Sequence, residues 1–270
     1  MTGHAAIGAC FGCRHARTAD PDLGTLTSMS SSALSFGSAA RLYDSIRPTY
    51  PVRAVAWAIG AKPVRVLDLG AGTGLLAGVL RAVGHDVIAV EPDEQMRAVA
   101  AERHPGTQVL AGSAEDIPLP DESVDAVVVG QAYHWFTPQH ALPQIHRVLR
   151  KDGVFAAMWN IRDDRTPWVA ALSGIVGNEG YGLESAWQYG PVTPWFTEPE
   201  RGLTEHTVTV PTDRLIDLVR SRSSYLTADA AEQARLDREI GELVVTDPAL
   251  AGRDSVEMPY RTCVYRMRRV

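Results

Sequence analysis

Between Val64 and Gly74 an apolar run, Val-Arg-Val-Leu-Asp-Leu, stops at three glycines spaced one apart, Gly70, Gly72 and Gly74. Glycine accepts positive φ and, having no Cβ, lets the backbone pass close under a ligand. The segment therefore reads as a strand, a tight turn and a helix start. Leu75-Leu76-Ala77-Gly78-Val79-Leu80 follows, apolar on most faces as a helix packed on a buried parallel sheet is. Asp86-Val87-Ile88-Ala89-Val90-Glu91 then reads as a neighbouring strand that ends on an acid. A carboxylate about 20 residues after the glycine turn, at the carboxyl end of the next strand, is where such folds grip ribose hydroxyls. Glu91 is accordingly the expected ligand carboxylate, and Asp93 suits the N-cap of the helix that follows.

The same patterning predicts helices near 37–46 and 52–60, strand 64–69, helix 74–83, strand 86–91, helix 93–103 and strand 107–111. Strand 124–129, a helix over 138–151 interrupted by Pro143, and strand 153–159 come next. Strands alternating with helices imply a parallel sheet covered on both faces. The 270 residues, 45% hydrophobic and 21% charged, suit one α/β domain with a helical addition or two closely joined lobes. The net charge of -6 and scattered arginines lack the basic stripe of nucleic-acid binding. Residues 1–34, rich in Gly, Ala, Ser and Thr, read as a disordered tail, with Met29 as an alternative start. The short apolar run from Ala5 to Cys13 is too broken to span a bilayer. Cys10, Cys13 and Cys263 make no disulfide framework, and Cys10-x-x-Cys13 with His4 and His15 falls short of an ordered four-ligand zinc site, so no metal is expected. A cytoplasmic protein is the expectation.

Val66-Leu67-Asp68-Leu69-Gly70-Ala71-Gly72-Thr73-Gly74 followed by Glu91 resembles a class I S-adenosylmethionine-dependent methyltransferase. Ala111-Gly112-Ser113-Ala114-Glu115-Asp116-Ile117-Pro118-Leu119-Pro120-Asp121 is similar to that family's adenine-binding stretch, and Val124-Asp125-Ala126-Val127-Val128-Val129 to its fourth strand. His146-Arg147-Val148-Leu149-Arg150-Lys151-Asp152-Gly153 resembles the helix and turn before the fifth, so that the likeness covers most of residues 36–160. Phe36-Gly37-Ser38-Ala39-Ala40-Arg41-Leu42-Tyr43-Asp44-Ser45-Ile46-Arg47-Pro48-Thr49-Tyr50-Pro51 resembles the amino-terminal signature of small-molecule methyltransferases of the methyltransferase-11 type, which include relatives of trans-aconitate methyltransferase. The resemblance implies a Rossmann-like, doubly wound α/β fold whose seven-stranded, mostly parallel sheet has an antiparallel last strand. Glu205 to Val210 and Pro259 to Met267 fit the closing strands, with helices near 212–222 and 227–245.

The resemblance also implies S-adenosyl-L-methionine as cofactor and a set of residues to hold it. Tyr43 would lie near the sulfonium or methionine part and Arg47 near a carboxylate, as an aromatic face attracts a cation and a guanidinium fork binds a carboxylate. Packing of Tyr43 in the core, and an Arg47 to Asp44 pair on a helix surface, are the alternatives. Asp68, Gly70, Ala71, Gly72 and Gly74 form the loop, with Glu91, Pro92 and Met96 beyond it. Asp68 either orders the loop by accepting backbone amides or contacts the cofactor amino group. Ser113, Ala114 and Glu115 fall at the adenine, where relatives commonly carry Asp in place of Ser113. Ser113 or Asp116 then substitutes, with the Ala114 or Glu115 amide reaching a ring nitrogen. Gln131 is placed by its position after the fourth strand.

Gly72-Thr73-Gly74-Leu75-Leu76-Ala77 also satisfies the G-x-G-x-x-G/A pattern of dinucleotide oxidoreductases. Asp68 before the turn favours the methyltransferase pattern. Lys62 and Lys151 are the only lysines and neither follows a tyrosine by four positions, which removes a Tyr-x-x-x-Lys dehydrogenase. Three readings stand: a methyltransferase acting on a small organic acceptor, with an oxygen as first choice; a non-catalytic S-adenosylmethionine- or S-adenosylhomocysteine-binding relative; and an NAD(P)-dependent oxidoreductase. Gly130-Gln131-Ala132-Tyr133-His134-Trp135-Phe136 lacks the Asn/Asp-Pro-Pro-Tyr/Phe signature of amino-group methylation, and His134 is the candidate base. Residues 163–201, with Trp168, Tyr181, Trp187, Tyr189, Trp195 and Phe196 in a Gly- and Pro-rich frame, read as a cap over the acceptor, either lining an apolar pocket or forming the core of a small lid.

Overall fold

The computed structural model of the chain describes residues 46–176, 192 and 194–270. The amino-terminal tail, Cys10, Cys13, Met29, Tyr43, Tyr181, Trp187 and Tyr189 lie outside the described residues. Seven strands form one sheet: β1 (Arg65–Leu69), β2 (Asp86–Glu91), β3 (Gln108–Ala111), β4 (Val124–Gly130), β5 (Leu149–Arg162), β6 (Glu200–Pro211) and β7 (Ser255–Arg268). Their order is β3-β2-β1-β4-β5-β7-β6. β1 pairs in parallel with β2 and β4, and so do β2 with β3 and β4 with β5. β7 runs antiparallel to both β5 and β6, so the expected mostly parallel sheet with an antiparallel last strand is the one observed. The chain reverses its direction of growth between β1 and β4, and a crevice outside the strand carboxyl ends at such a switch point is where open α/β sheets bind ligands.

Alternation along the central strands explains the two layers. Val66, Val87, Ala126, Val128, Ala156 and Met158 face α1 (Val52–Ile59) and α2 (Leu75–Ala82), and pack on Ala54, Val55, Ala58, Leu76, Ala77 and Leu80. The intervening residues Leu67, Leu69, Ile88, Val90, Val127, Val129, Phe155 and Trp159 face the opposite way. They pack on Ala141, Leu142, Ile145 and Val148 of α4 (Pro138–Val148). α3 (Glu94–Arg103) begins at Asp93, whose Oδ1 accepts the Met96 amide at 2.9 Å, as the N-cap reading expects. A third cluster joins α5 (Pro167–Val176), α6 (Leu215–Arg220) and α8 (Ala230–Thr246) to Val210, Val256, Met258 and Tyr260 at the far end of the sheet. The short α7 (Ser223–Leu226) lies between α6 and α8.

One sequence expectation is corrected here. Pro143 does not interrupt α4, which runs through it and ends at Val148 rather than 151. A proline in a helix interior costs about 3 kcal/mol or more, but four buried side chains on this helix, at about 1.5–3 kcal/mol for each large one, outweigh it. The described aromatics of 163–201 pack into two of these clusters. Trp168 is in the third cluster, while Phe196 and Trp195 pack with Phe155 and His146 against the α4 side of the sheet.

At the sheet edge, a Cβ on Gly202 would come within 2.6 Å of the Trp57 indole, which is itself covered by the Arg266 guanidinium at 4.5 Å. Gly202→Ala must push this ring off both neighbours, and overpacking of this kind costs about 1–3 kcal/mol. Urea unfolding is expected to show that loss with an unchanged slope; equal stability would mean the indole moves freely.

Candidate functional site

The glycine loop leaves β1 through Gly70, Gly72 and Gly74, which have φ of 69°, 57° and 84°. The loop amides do not turn to Asp68. The amides of Gly70 and Ala71 donate to the Val90 carbonyl at 2.9 and 3.1 Å, and that of Gly72 donates to Glu91 Oε2 at 2.9 Å. Glu91 Oε1 accepts the Asp93 amide at 3.0 Å. One strand-end carboxylate thus fixes the loop after β1 and the turn after β2. Of the two roles expected for Asp68, ordering of the loop belongs instead to Glu91 and the Val90 carbonyl. Each carboxylate oxygen has further lone-pair capacity, so these bonds leave Glu91 able to accept from a ligand hydroxyl. Burial raises the Glu91 carboxyl above the usual range, with the Asp93 and Gly72 amides and Arg97 acting against it.

Asp68 is 1% exposed, and neither carboxyl oxygen has a hydrogen-bond partner among the described residues. Burial pushes it up to about 7; the nearby Ala77 amide opposes this without meeting hydrogen-bond geometry, and the Glu91 charge adds to it. The Thr73 hydroxyl in the loop is also buried and has no hydrogen-bond partner among the described residues. A Cβ on Gly72 would meet only Met96 Sδ, at 3.6 Å, so the loop's middle is open on that side. Buried acceptors beneath an open glycine turn suit a ligand that brings ammonium and hydroxyl donors, and S-adenosylmethionine carries both.

Ser113 Oγ accepts the Glu115 amide at 3.2 Å, and Glu115 Oε1 accepts the Thr137 amide at 2.9 Å just before α4. The Glu115 amide proposed for an adenine nitrogen is therefore already engaged, and Ala114 is buried in the core. Pro92 passes its carbonyl to Arg97 at 2.6 Å, which closes the turn into α3. Gln131 has a φ of 56° at the end of β4, a conformation that L side chains seldom hold and that clusters at functional positions. Its Nε2 donates to the Asn160 carbonyl at 3.0 Å. Beyond it, Ala132 and Phe136 approach Gly70, so the turn that carries the half-buried His134 abuts the glycine loop. The His134 ring lies 4.9 Å from that of Trp135. Arg47 donates to the Ser221 carbonyl at 3.2 Å, at the end of α6, and Asp44 lies outside the described residues.

Sequence reasoning missed Asn160, Thr262 and His206. Asn160 Nδ2 donates to the carbonyls of Pro48 and Thr49, at 3.3 and 3.2 Å, and Oδ1 accepts from Thr262 Oγ1 at 2.7 Å. The one available signal was an asparagine closing the apolar run Phe155 to Trp159. Among the described residues no group of three or more His, Cys, Asp or Glu is placed to hold a metal, and no helix is long and apolar enough to cross a membrane.

Asp68 makes stability depend on pH in a definite direction. Its folded value of about 7 lies above the unfolded 3.8, so between these values the native state retains a proton that the unfolded chain releases. Its contribution is fully present below about pH 4 and is lost as pH rises to about 7, at roughly 1.4 kcal/mol per unit. Asp68→Asn is expected to flatten that slope in urea unfolding of the ligand-free protein from pH 5 to 8. Parallel profiles for the two proteins would show Asp68 ionised throughout.

A family model described as a methyltransferase domain matches residues 67–157. An uncharacterised methyltransferase of Mycobacterium tuberculosis is 42% identical over 234 residues, covering 87% of this chain and 95% of the relative. Another, of Schizosaccharomyces pombe, is 32% identical over 236 residues, covering 84% and 94%. Among solved structures, a proposed type II methyltransferase from Anaeromyxobacter dehalogenans superposes with a TM-score of 0.57 at 26% identity, covering 83% of this chain and 97% of that one. The oxidoreductase reading of Gly72 to Ala77 gives way to this kinship. Similarity that extends over nearly the whole of a methyltransferase, well beyond the loop, leaves common descent as its explanation: the chain belongs to the class I S-adenosylmethionine-dependent methyltransferases.

Proposed function

We propose that this methyltransferase transfers a methyl group from S-adenosylmethionine to an oxygen of a small organic acceptor, held at the carboxyl ends of β4 and β5. The observation that carries the reading is the buried Asp68 carboxyl, without a hydrogen-bond partner among the described residues, beneath a glycine loop clasped by Glu91. Asp68 accepts from the cofactor's amino group and Glu91 from its ribose hydroxyls. The turn of Gly70, Ala71, Gly72 and Gly74 gives the close approach, and Met96 and Pro92 wall the ribose side. Ser113, Ala114 and Glu115 border the adenine, Tyr43 the sulfonium or methionine part, Arg47 a carboxylate, and Gln131 contributes from its position after the fourth strand. S-adenosylmethionine supplies, when bound, a methyl already activated on a sulfonium.

The chain's own task is then alignment, which contributes up to roughly 7–11 kcal/mol in favourable cases. A carboxylate acceptor needs no base; a hydroxyl acceptor needs one, and His134, on the turn between Gln131 and Phe136, takes that proton. The negative net charge supports a small acceptor over a nucleic acid, and the setting proposed is the cytoplasm. Residues 163–201 act as the acceptor's cover and residues 1–34 as a tail outside the catalytic domain.

Thermal unfolding with S-adenosylmethionine or S-adenosylhomocysteine at a hundredfold excess over the dissociation constant is expected to add about 2.7 kcal/mol. Glu91→Ala should remove that increment, and NADH should produce none. Stabilisation by NADH alone would overturn the cofactor assignment. His134→Ala should leave nucleotide binding intact and lower kcat on a hydroxyl acceptor by about 10²–10⁴-fold. Unchanged turnover on such an acceptor would remove His134 from the chemistry.

A further inference from the structure

Residues 46–51 cross the carboxyl edge of the sheet from the end of α6 to the switch point, and one buried side chain holds them there. Arg47 donates to the Ser221 carbonyl, and the carbonyls of Pro48 and Thr49 accept from Asn160 Nδ2 on β5 at 3.3 and 3.2 Å. Tyr50 follows and is buried. A Cβ on Gly130, the last residue of β4, would come within 2.6 Å of its phenol oxygen and 3.2 Å of Leu76, so the ring lies against the bare backbone of β4 and the first turn of α2. The chain then enters α1, where the Pro51 carbonyl accepts the Ala54 and Val55 amides at 2.9 and 3.2 Å. This strap passes over β5 and β4 and stops beside the helix that leaves the glycine loop. It borders the crevice between β1 and β4 on the side of α1 and α2.

The strap is stiff by composition. Proline fixes its own φ and restricts the residue before it, so Pro48 and Pro51 constrain Arg47 and Tyr50 as well as themselves. A segment restricted in this way loses less conformational entropy when it docks. Asn160 is matched to it. Its Oδ1 accepts from Thr262 Oγ1 at 2.7 Å, which fixes the orientation of the amide and turns the Nδ2 hydrogens to the two carbonyls. The Asn160 backbone carbonyl accepts from Gln131 Nε2 at 3.0 Å, and the Gln131 amide donates to the Met158 carbonyl at 2.9 Å. One residue of β5 thus fixes both the strap and the left-handed turn of Gln131 at the end of β4.

We propose that Asn160 is a positioning residue for the methyl donor: by latching the strap across the carboxyl ends of β4 and β5, it sets how long S-adenosylmethionine and its product are held. The proposal rests on the cofactor assignment, which puts the nucleotide in the crevice that the strap borders and gives Arg47, on the strap itself, a carboxylate to bind. Asn160 acts through the Pro48 and Thr49 carbonyls and not by contact with the reacting atoms. An amide is needed for this. An ionised aspartate keeps the shape of the side chain and the acceptor for Thr262 but has no donor for the strap, and its charge faces two carbonyl oxygens.

The test is the rate at which radiolabelled S-adenosylhomocysteine leaves the full chain on dilution into unlabelled ligand, measured beside amide hydrogen exchange of the ligand-free protein. The variants are Asn160→Asp and Asn160→Ala, which remove both bonds to the strap, and Gly130→Ala, which displaces Tyr50 and leaves Asn160 in place. Loss of two neutral hydrogen bonds corresponds to roughly a five- to hundredfold change in such a rate, so release at least about fivefold faster is expected in both Asn160 variants. Gly130→Ala should shift release in the same direction, and it carries the test where an Asn160 variant does not fold. Exchange of the Ala54 and Val55 amides should quicken while that of the paired β1 and β2 amides stays as in the unsubstituted chain, whereas a general loss of stability raises both. Unchanged release in the Asn160 variants, or exchange that rises equally at β1 and β2, would overturn the proposal. So would release from Asn160→Asp at the rate of the unsubstituted chain, since shape without a donor would then suffice. If the unsubstituted chain binds no S-adenosylhomocysteine, the cofactor assignment fails and this role of Asn160 fails with it; tight binding with equal release rates removes the latch alone.

Discussion

The hydrogen bond from the Gly72 amide to the Glu91 carboxylate is the contact on which the site depends. It links the loop after one strand to the end of the next, and it forms only because β1 and β2 pair with Leu69 opposite Val90. That register puts the Val90 carbonyl under the Gly70 and Ala71 amides, and Glu91, one residue further, reaches the middle of the loop. The other Glu91 oxygen takes the Asp93 amide, which sets Asp93 to cap α3. A chain of three short bonds therefore transmits the strand register to a turn and a helix. Loss of register by one residue would present the carboxylate to the opposite face and release all three.

The antiparallel direction of β7 has a comparable consequence at the other end. A parallel strand would bring its last residues to the carboxyl edge of β5; β7 brings its early ones, Tyr260 and Thr262, opposite Arg162 and Asn160. The same strand can then be apolar in its second half, where Val264 packs under α1 and α2, and polar in its first half, where the edge of the sheet meets the amino-terminal segment. Asn160 joins these parts: it holds Pro48 and Thr49 from one side and Thr262 from the other. Its three bonds engage both the amide nitrogen and the carbonyl oxygen, so a buried polar group in the sheet serves as a clamp instead of a penalty.

Local pattern made much of this legible. The β1 glycine turn, the acid ending β2 and the alternation of Val66, Leu67, Val127 and Val128 are written within a few residues of one another, and each found its place. What depended on pairing between distant segments was not legible. Asn160 and Thr262 are 102 positions apart, and nothing in either segment announces the hydrogen bond that their register creates. Phe196 looked like part of an aromatic cap because its neighbours in sequence are aromatic, yet it pairs with Arg269 and sits beside Phe155. Pro143 misled for the opposite reason: a strong local rule was overridden by the burial of Ala141, Leu142, Ile145 and Val148. Asp68 was expected either to order the loop or to contact the cofactor amino group, and what its own segment could not tell is that the loop amides have other acceptors.

The carboxyl edge of the sheet is electrically asymmetric, and the asymmetry follows from its topology. At β1 and β2 the buried groups are carboxylates, Asp68 and Glu91, which accept. At β5 and β7 they are the Arg162 guanidinium and the Tyr260 phenol, which donate. Acceptors and donors buried at opposite ends of this edge favour one direction of a polar ligand, because one reversed end for end would leave donors and acceptors unpaired. Gln131 stands at the midpoint, in a left-handed conformation, bonded through its amide to Met158 and through its side chain to Asn160. Since methyl transfer requires the acceptor atom, carbon and sulfur to lie in line, orientation is the quantity the protein must control. On the proposed cofactor assignment, the acceptors before the switch point and the donors after it are the groups that would set it.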